Sequence, residues 1–238
     1  SDKYGAKYIV MAGMILMSLG GFYLAHFRLD TTTKELILPF IVMGLGMGLS
    51  LSPLTNITLY DAPEDEVGGA SGVFSTTRQI GSVMGIAILG AVLQTTMLAK
   101  TDAHINNLSS LSPSSKQLVT ETINDSDFSF SDAKSQELLS NKLREQMISE
   151  AKTSASAAAA AVTPQQLADP AFAAAFTKKQ AQIQQSMIEQ MKQAGQDVAT
   201  AGKQGFVDSV NYTFNIAAII ALFGAITTLL FSNNRAKN

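Results

Sequence analysis

Few side chains in this sequence could do covalent or metal chemistry. The 238 residues include no cysteine and two histidines, His26 and His104. Without cysteine there is no thiolate nucleophile, no thiolate zinc site and no disulfide, and lone histidines without partners at ligand spacing do not predict a metal site. Motifs such as G-x-S-x-G, H-E-x-x-H or a phosphate-binding glycine loop are missing. We therefore expect no enzymatic activity, no metal and no cofactor.

The charges are distributed very unevenly along the chain. The net charge is −2, and this near-neutral balance argues against a nucleic-acid partner, which would need a basic face to neutralise phosphates. Of the 36 charged residues, 21 lie between positions 98 and 205. The sequence is therefore divided into a charge-poor part and a polar insertion.

The charge-poor part contains four long runs without Asp, Glu, Lys or Arg, at residues 8–27, 36–60, 80–99 and 212–231. A helix of 20 residues is about 30 Å long, which matches the hydrocarbon core of a bilayer. A single run of this kind could be a buried helix of a soluble protein, but four glycine-containing runs favour transmembrane helices. The pattern predicts an all-α, multi-pass membrane protein with the lipid bilayer as its first partner.

Basic residues in the short connecting segments predict the orientation. Placing both termini and the loop 61–79 in the cytoplasm puts five Lys and Arg residues inside and two outside, in agreement with the positive-inside rule. The segment 100–205 is then extracytoplasmic. Residues 1–99 hold three spans, and residues 206–238 hold the last span and a cytoplasmic tail.

Small residues within the spans are spaced for close helix packing. Gly44 and Gly48 form one G-x-x-x-G motif, and Gly81 and Gly85 form another. Membrane helices associate where missing side chains let their backbones approach, so these four glycines are predicted to pack helices, with a role in helix movement as the alternative. Pro53 lies well inside its span, removes one backbone hydrogen bond and predicts a kink, which makes this helix a candidate to line a cavity.

Polar groups near the span ends are the candidates for a transport path or gate. Arg78 is predicted at the cytoplasmic mouth of the third span, where it either snorkels as an anchor or pairs with an acid of the preceding segment. Asp208 precedes the last span and either faces interfacial water or is a titrating acid. Five uncharged residues could line a path or hydrogen-bond between helices: Asn56, Gln79, Gln94, Asn211 and Asn215.

Three segments of the sequence resemble the major facilitator superfamily. Residues 1–7, SDKYGAK, resemble the end of its D-[RK]-x-G-[RK]-[RK] loop motif, in which an acid and basic residues tie helix ends together on the cytoplasmic side. The resemblance implies this clamp role for Asp2, Lys3, Gly5 and Lys7. The glycine series before Pro53, the segment GGASG at 68–72 and the series Arg78-Gln79-x-Gly81-x-x-x-Gly85 resemble the C-terminal part of the fourteen-span drug/proton antiporters.

The resemblance implies that the four spans are helices 11 to 14 of a major-facilitator-type C-terminal bundle. It implies export of hydrophobic, often cationic small molecules by alternating access, with the proton gradient as energy source and the missing N-terminal helices as partners. The run 80–99 lacks the acid that some family members carry in helix 13. Proton-coupling residues are therefore not assigned.

The polar insertion begins with a segment rich in Ser, Thr, Asn and Asp at 98–130, which predicts irregular structure. Apolar residues then recur at helical spacing, which predicts an antiparallel helical hairpin at about 133–201, with a low-complexity linker as the alternative. This hairpin also suggests a second function, a membrane-anchored interaction protein that presents the hairpin to an envelope partner. Ten further spans encoded directly upstream in frame would exclude that alternative.

Overall fold

The computed structural model describes residues 6–60, 63, 66–125, 128, 132–160, 162–163 and 169–228. Across these ranges the regular secondary structure is helical throughout, without a strand, so the predicted all-α fold class is confirmed. Six helices follow one another along the chain: α1 (Ala6–Leu24), α2 (Thr33–Tyr60), α3 (Val67–Asn106), α4 (Pro113–Ile123), α5 (Ala133–Ala160) and α6 (Pro170–Thr227).

Four of these helices are long and apolar enough to cross a membrane: α1, α2, α3 and α6. The chain is thus a multi-pass membrane protein by the length and composition of its helices. With 40 and 58 residues, α3 and α6 are about 60 Å and 87 Å long at a rise of 1.5 Å per residue. Both exceed the roughly 30 Å of a hydrocarbon core and therefore continue well beyond one membrane span.

Helix bounds differ from the sequence-based expectation in three places. The segment 61–79 was expected to be a loop, but α3 begins at Val67 and includes its last thirteen residues. Residues 98–130 were expected to be irregular, but α3 continues to Asn106 and α4 follows. The last span was expected to begin at residue 212, whereas α6 runs without a break from Pro170 to Thr227. At 98–106 the helix is supported by burial of Thr101 and Ile105 in the polar unit, which outweighs the weak helix propensity of Thr and Asp there.

Side-chain caps start the three helices of the polar insertion. The Oγ of Ser112 accepts a hydrogen bond from the backbone N of Ser115 at 3.1 Å, with Pro113 in the first turn of α4. Asp132 accepts from the backbone N of Ser135 at 3.1 Å before α5, and Asp169 accepts from the backbone N of Ala171 at 2.9 Å before α6. Each cap satisfies a backbone donor that the first turn leaves unpaired.

Backbone contacts divide the chain into two units. One, here called the polar unit, comprises residues 98–206; the other, the apolar unit, comprises the residues up to Met97 and those from Val207 onward. The boundaries expected from the sequence are 99/100 and 205/206. Each unit has its own packing, described separately below.

The polar unit has a hydrophobic core to which four helices contribute. Ile105 of α3, Val119 and Ile123 of α4, and Leu139 and Leu143 of α5 are all at most 6% exposed. From α6 the core receives small side chains, Ala194, Val198 and Ala201. The unit is therefore a four-helix arrangement, not the isolated hairpin expected from the sequence.

Candidate functional site at the membrane-length helices

Helices α1 and α2 of the apolar unit approach each other at glycines. A Cβ added at Gly13 would lie 2.6 Å from the carbonyl oxygen of Gly46, and one added at Gly46 would lie 2.6 Å from the oxygen of Gly13. Real Cβ atoms do not come this close to backbone. Ser50, one turn after Gly46, turns its hydroxyl onto the Gly46 oxygen at 2.9 Å. This mutual contact of small residues is the packing that membrane helices use in place of hydrophobic burial.

The glycines predicted to pack helices lie elsewhere. A Cβ added at Gly44, Gly48, Gly81 or Gly85 would meet no other atom within 4 Å among the described residues. Successive helix positions are 100° apart, so Gly44 and Gly48 share one face while Gly46 between them faces the other way. Gly46 was not predicted to pack, although the spacing G-x-G-x-G is a signal that this helix has small residues on two faces. Packing at the four open glycines stays a prediction.

Polar side chains join α1 to the C-terminal part of α6 within the apolar unit. The buried Ser18 donates a hydrogen bond from Oγ to the carbonyl oxygen of Ala218 at 2.9 Å. Asn211 donates from Nδ2 to the carbonyl oxygen of Phe27 at 2.7 Å. Since Phe27 follows the end of α1, Asn211 tethers the start of the turn that leads to α2.

The turn between α1 and α2 encloses a cleft of about 310 Å³, called the turn cleft from here on. Tyr23, His26 and Phe27 contribute rings to its wall, while Leu36 and Glu35 come from the first turns of α2. The ring of His26 is fixed by a 2.9 Å hydrogen bond between Nδ1 and the oxygen of Phe22. The volume of the turn cleft lies at the lower end of the range for small-molecule sites.

The candidate gate residues are spread over several helices. Arg78 and Gln79 were expected beside a loop but lie inside α3, with exposed side chains. Pro53 is buried in α2 and Asn56 is exposed there. Asp208 lies in α6, half-buried and engaged in an interaction. Asn211 donates a hydrogen bond to the carbonyl oxygen of Phe27, just beyond the end of α1.

The position of Arg78 within α3 excludes Glu66 as its salt-bridge partner. Glu66 stands directly before α3 and Arg78 is twelve positions later, which separates them by about 18 Å along the helix axis. That pairing was wrong, because a salt bridge needs contact distance. The other expected partners, Asp61, Glu64 and Asp65, lie outside the described residues, as do the clamp residues Asp2, Lys3 and Gly5. Lys7 of the clamp lies in α1, half-buried and engaged in an interaction.

Among the described residues, the two carboxyl groups with shifted pKa values, Asp132 and Glu150, lie in the polar unit. Burial raises the pKa of Glu150, but hydrogen bonds from Ser114, Ser112 and Gln146 outweigh this and leave the pKa below its ordinary value of 4.5. These bonds connect α5 to the start of α4, at 2.8 Å from Ser114 and 2.9 Å from Ser112. The pKa of Asp132 is lowered by the Ser135 hydroxyl and by backbone N–H groups of α5. Asp132 thus caps α5, whereas Glu150 links α5 to the hydroxyl groups at the start of α4.

A metal centre has no basis in the described ranges, which contain no group of three His, Cys, Asp or Glu side chains that could hold an ion. His26 uses Nδ1 for a backbone oxygen, and His104 has an interaction of its own. Among the described residues, the apolar unit provides a close helix contact, a tethered turn and a cleft.

Residues 1–95 match the family described as the Major Facilitator Superfamily. The chain is similar to "Multidrug resistance protein Stp" of Mycobacterium tuberculosis, with 31% identity over 103 residues, 43% of this chain and 19% of that protein. It is also similar to the "Probable actinorhodin transporter" of Streptomyces coelicolor, with 34% identity over 95 residues, 38% of this chain and 16% of that protein. A third relative, "Multidrug efflux pump LfrA" of Mycolicibacterium smegmatis, is 26% identical over 92 residues, 39% of this chain and 18% of that protein.

The chain matches about a fifth or less of the length of each of these relatives. No solved structure matches it.

Proposed function

We propose that the chain, whose residues 1–95 match the Major Facilitator Superfamily, is the C-terminal portion of a proton-coupled exporter of hydrophobic, often cationic small molecules. The observation that carries the proposal is the similarity of these residues to proteins named for multidrug resistance and efflux. They include α1, α2 and most of the apolar part of α3. The proposed activity is transport by alternating access, without enzymatic chemistry or a cofactor.

In this proposal α1, α2 and the end of α6 form part of the wall of a C-terminal bundle. The close approach of Gly13 and Gly46 supports a fixed pair, α1 with α2, that moves as one body. The open faces at Gly44 and Gly85 are suited to contact helices of the N-terminal part of the exporter. Asp2, Lys3, Gly5 and Lys7 would clamp helix ends on the cytoplasmic side, as the loop motif implies.

The proposed topology has both termini in the cytoplasm and residues 100–205 outside. The natural lack of cysteine makes this simple to test, since a single introduced cysteine is the only thiol. In intact cells, a membrane-impermeant maleimide should label Ser140→Cys, which lies on the exposed side of α5. It should label Gln79→Cys of α3 only after the cells are opened. Labelling of Gln79→Cys in intact cells with Ser140→Cys protected would reverse the topology.

Export is tested with the complete reading frame that contains this chain, expressed in an efflux-deficient host. Cells that express it should accumulate less ethidium, and a protonophore should abolish the difference. Arg78→Ala should weaken export, whereas Lys100→Ala, an exposed basic residue on the same helix, should not. Absence of protonophore-sensitive export from a correctly inserted protein would refute the mechanism and favour the anchored interaction protein. Unchanged export by Arg78→Ala would remove that residue from the path.

A further inference from the structure

The first part of α6, residues 170–193, carries a row of large apolar side chains beyond the core of the polar unit. This row is called the arm stripe from here on and consists of Phe172, Phe176, Ile183, Met187 and Met191. At 100° per residue, the arm stripe lies on the same side of α6 as the core residues Ala194, Val198 and Ala201. We propose that the arm stripe packs against the arm stripe of a second copy of this chain, a contact that does not depend on export activity.

The arm stripe is largely uncovered in a single copy of the chain. Ile183 is 45% exposed, and every side chain from Thr177 to Ser186 is exposed in the part of the chain that the structure describes. The same side of α6 is fully buried one to two turns past the stripe, at Ala194 and Val198 of the core. An amphipathic helix buries its apolar side, so this part of α6 has an apolar surface that one copy leaves open.

Helix α5 has too few large side chains to cover the arm stripe. Its side that faces the core carries Leu143, with Met147 packed against the core as well. At helical spacing this side continues as Ser154 and Ala157, and both are exposed. Each copy therefore leaves open one surface of large side chains and one of small side chains. Two copies can fit large next to small, as in a bundle built from two pairs of helices.

The distribution of charge favours a second copy over a charged partner. Three of the four charged residues at 170–193 lie within about 40° of the line opposite the arm stripe: Lys178, Glu189 and Lys192. The stripe is bordered by the uncharged amides of Gln180 and Gln190, and Lys179 at its edge is long enough to extend into water. A charged partner would gain its attraction on the opposite side. Two identical surfaces bring like residues together, which is favourable only where the surface is nearly uncharged.

The membrane determines the direction of the contact. Copies inserted with the same orientation are related by a two-fold axis along the membrane normal, which makes their α6 helices parallel. Since α6 is unbroken from Pro170 to Thr227, Ile183 of one copy then lies next to Ile183 of the other.

The size of the contact is sufficient for a specific dimer. Residues 170–193 make a helix about 36 Å long and 11 Å wide, and residues 151–160 of α5 add about 15 Å of length. A two-fold contact along these lengths buries about 1,100 Å² in total, just above the roughly 1,000 Å² that a specific interface needs. Confinement of both copies to one membrane raises their effective concentration and favours the dimer further.

Cysteine crosslinking in membranes tests the contact directly, because this chain has no cysteine. The complete protein that contains the chain, with any cysteine outside it replaced by serine, is expressed at low level with Ile183→Cys or Gln185→Cys. Gln185 is exposed and lies on the opposite side of α6. A disulfide needs Cα atoms within about 7 Å of each other, so oxidation with copper phenanthroline should yield a crosslinked dimer for Ile183→Cys and not for Gln185→Cys.

Two results of this crosslinking would overturn the proposal. Equal crosslinking at both positions would show random collision between copies. A crosslinked product whose mass is not twice that of the protein would show that a different partner covers the stripe.

Like charges placed on the arm stripe provide a second test. Ile183→Glu combined with Met187→Glu brings four carboxylates into the contact and should weaken the dimer Kd in lipid vesicles, measured by single-molecule photobleaching, at least about tenfold. Gln182→Glu combined with Gln185→Glu adds the same charge at exposed positions away from the stripe and should leave this Kd unchanged. Circular dichroism of both double variants shows that the helices are retained. A monomeric original protein, or equal weakening by both double variants, would overturn the proposal.

Discussion

The crossing of α3 and α6 inside the polar unit depends on a glycine. Thr101 of α3 is fully buried, and Gly205 of α6 lies against it. A Cβ added at Gly205 would collide with the Thr101 hydroxyl and would also lie 2.8 Å from the Cα and 2.8 Å from the N of Thr101. A side chain can rotate away, but the backbone of a helix cannot, so Gly205→Ala must push the two helices apart.

Two effects set the size of the change. Replacing a helical glycine by alanine favours the helix by about 0.8 kcal/mol. Overpacking a close contact costs about 1–3 kcal/mol, so the free energy of unfolding should fall by about 0.2–2 kcal/mol in Gly205→Ala. A Cβ added at Gly195 of the same helix meets nothing within 4 Å among the described residues. Gly195→Ala should therefore raise the free energy of unfolding by the helix preference of alanine alone. The two alanine variants should therefore move stability in opposite directions.

Thermal unfolding of the full chain in an uncharged detergent, followed by far-ultraviolet circular dichroism, measures both changes. With about 5 °C per kcal/mol for a unit of this size, Tm should fall by roughly 1–10 °C in Gly205→Ala and rise by a few degrees in Gly195→Ala. Adding Thr101→Ala to Gly205→Ala should restore little, because the backbone contact remains. Equal Tm values for Gly205→Ala and Gly195→Ala would refute the close crossing.

Three further predictions concern Gly46, Glu150 and Thr101. Gly46→Ala should lower the free energy of unfolding by about 1–3 kcal/mol through its clash with the Gly13 backbone, whereas Gly44→Ala should not destabilise the chain; equal effects in denaturant titrations would contradict the assigned packing face. The carboxyl group of Glu150 has a lowered pKa, so its carboxylate stabilises the fold above pH 4.5, and this contribution disappears as the pH falls through the lowered pKa. Glu150→Gln should therefore flatten the dependence of Tm on acid pH. An unchanged pH profile in this variant would contradict the stabilising role of Glu150. The hydroxyl of Thr101 is buried without a hydrogen-bond partner among the described residues, so Thr101→Val should raise stability by about 1 kcal/mol; a lower Tm would reveal a partner.

The membrane character of the chain could be predicted from the sequence because it depends on one-dimensional features. Runs of 20 or more residues without a charge have the length of a bilayer core, and α1 and α2 carry the first two such runs. Caps at Ser112 and Asp169 could also have been found, since Ser-Pro and Asp-Pro before a helical pattern are local signals. Local patterns of this kind do not depend on which helices become neighbours.

Features that depend on tertiary contacts could not be predicted. The sequence offers Gly44, Gly46 and Gly48 with equal chemistry, and only the position of α1 decides that Gly46 is the packed one. Likewise, the polar segment after residue 98 has little intrinsic preference for a helix, yet burial of Ile105 extends α3 through it. For Asn211 the sequence allowed a path or a hydrogen bond between helices, and it could not name the carbonyl of Phe27 as the partner. Which residues come into contact depends on the position of the neighbouring helix, and a single sequence does not reveal that position.

Proton-coupled export is the central claim, and coupled flux in proteoliposomes tests it most directly. The complete protein that contains this chain is reconstituted, and uptake of radiolabelled tetraphenylphosphonium is measured with and without an imposed pH gradient at zero membrane potential. The account predicts accumulation only when the lumen is acidic, together with a rise in lumenal pH as the cation enters, and both should vanish with a protonophore. Uptake that is equal with and without the gradient, and without proton movement, would contradict it.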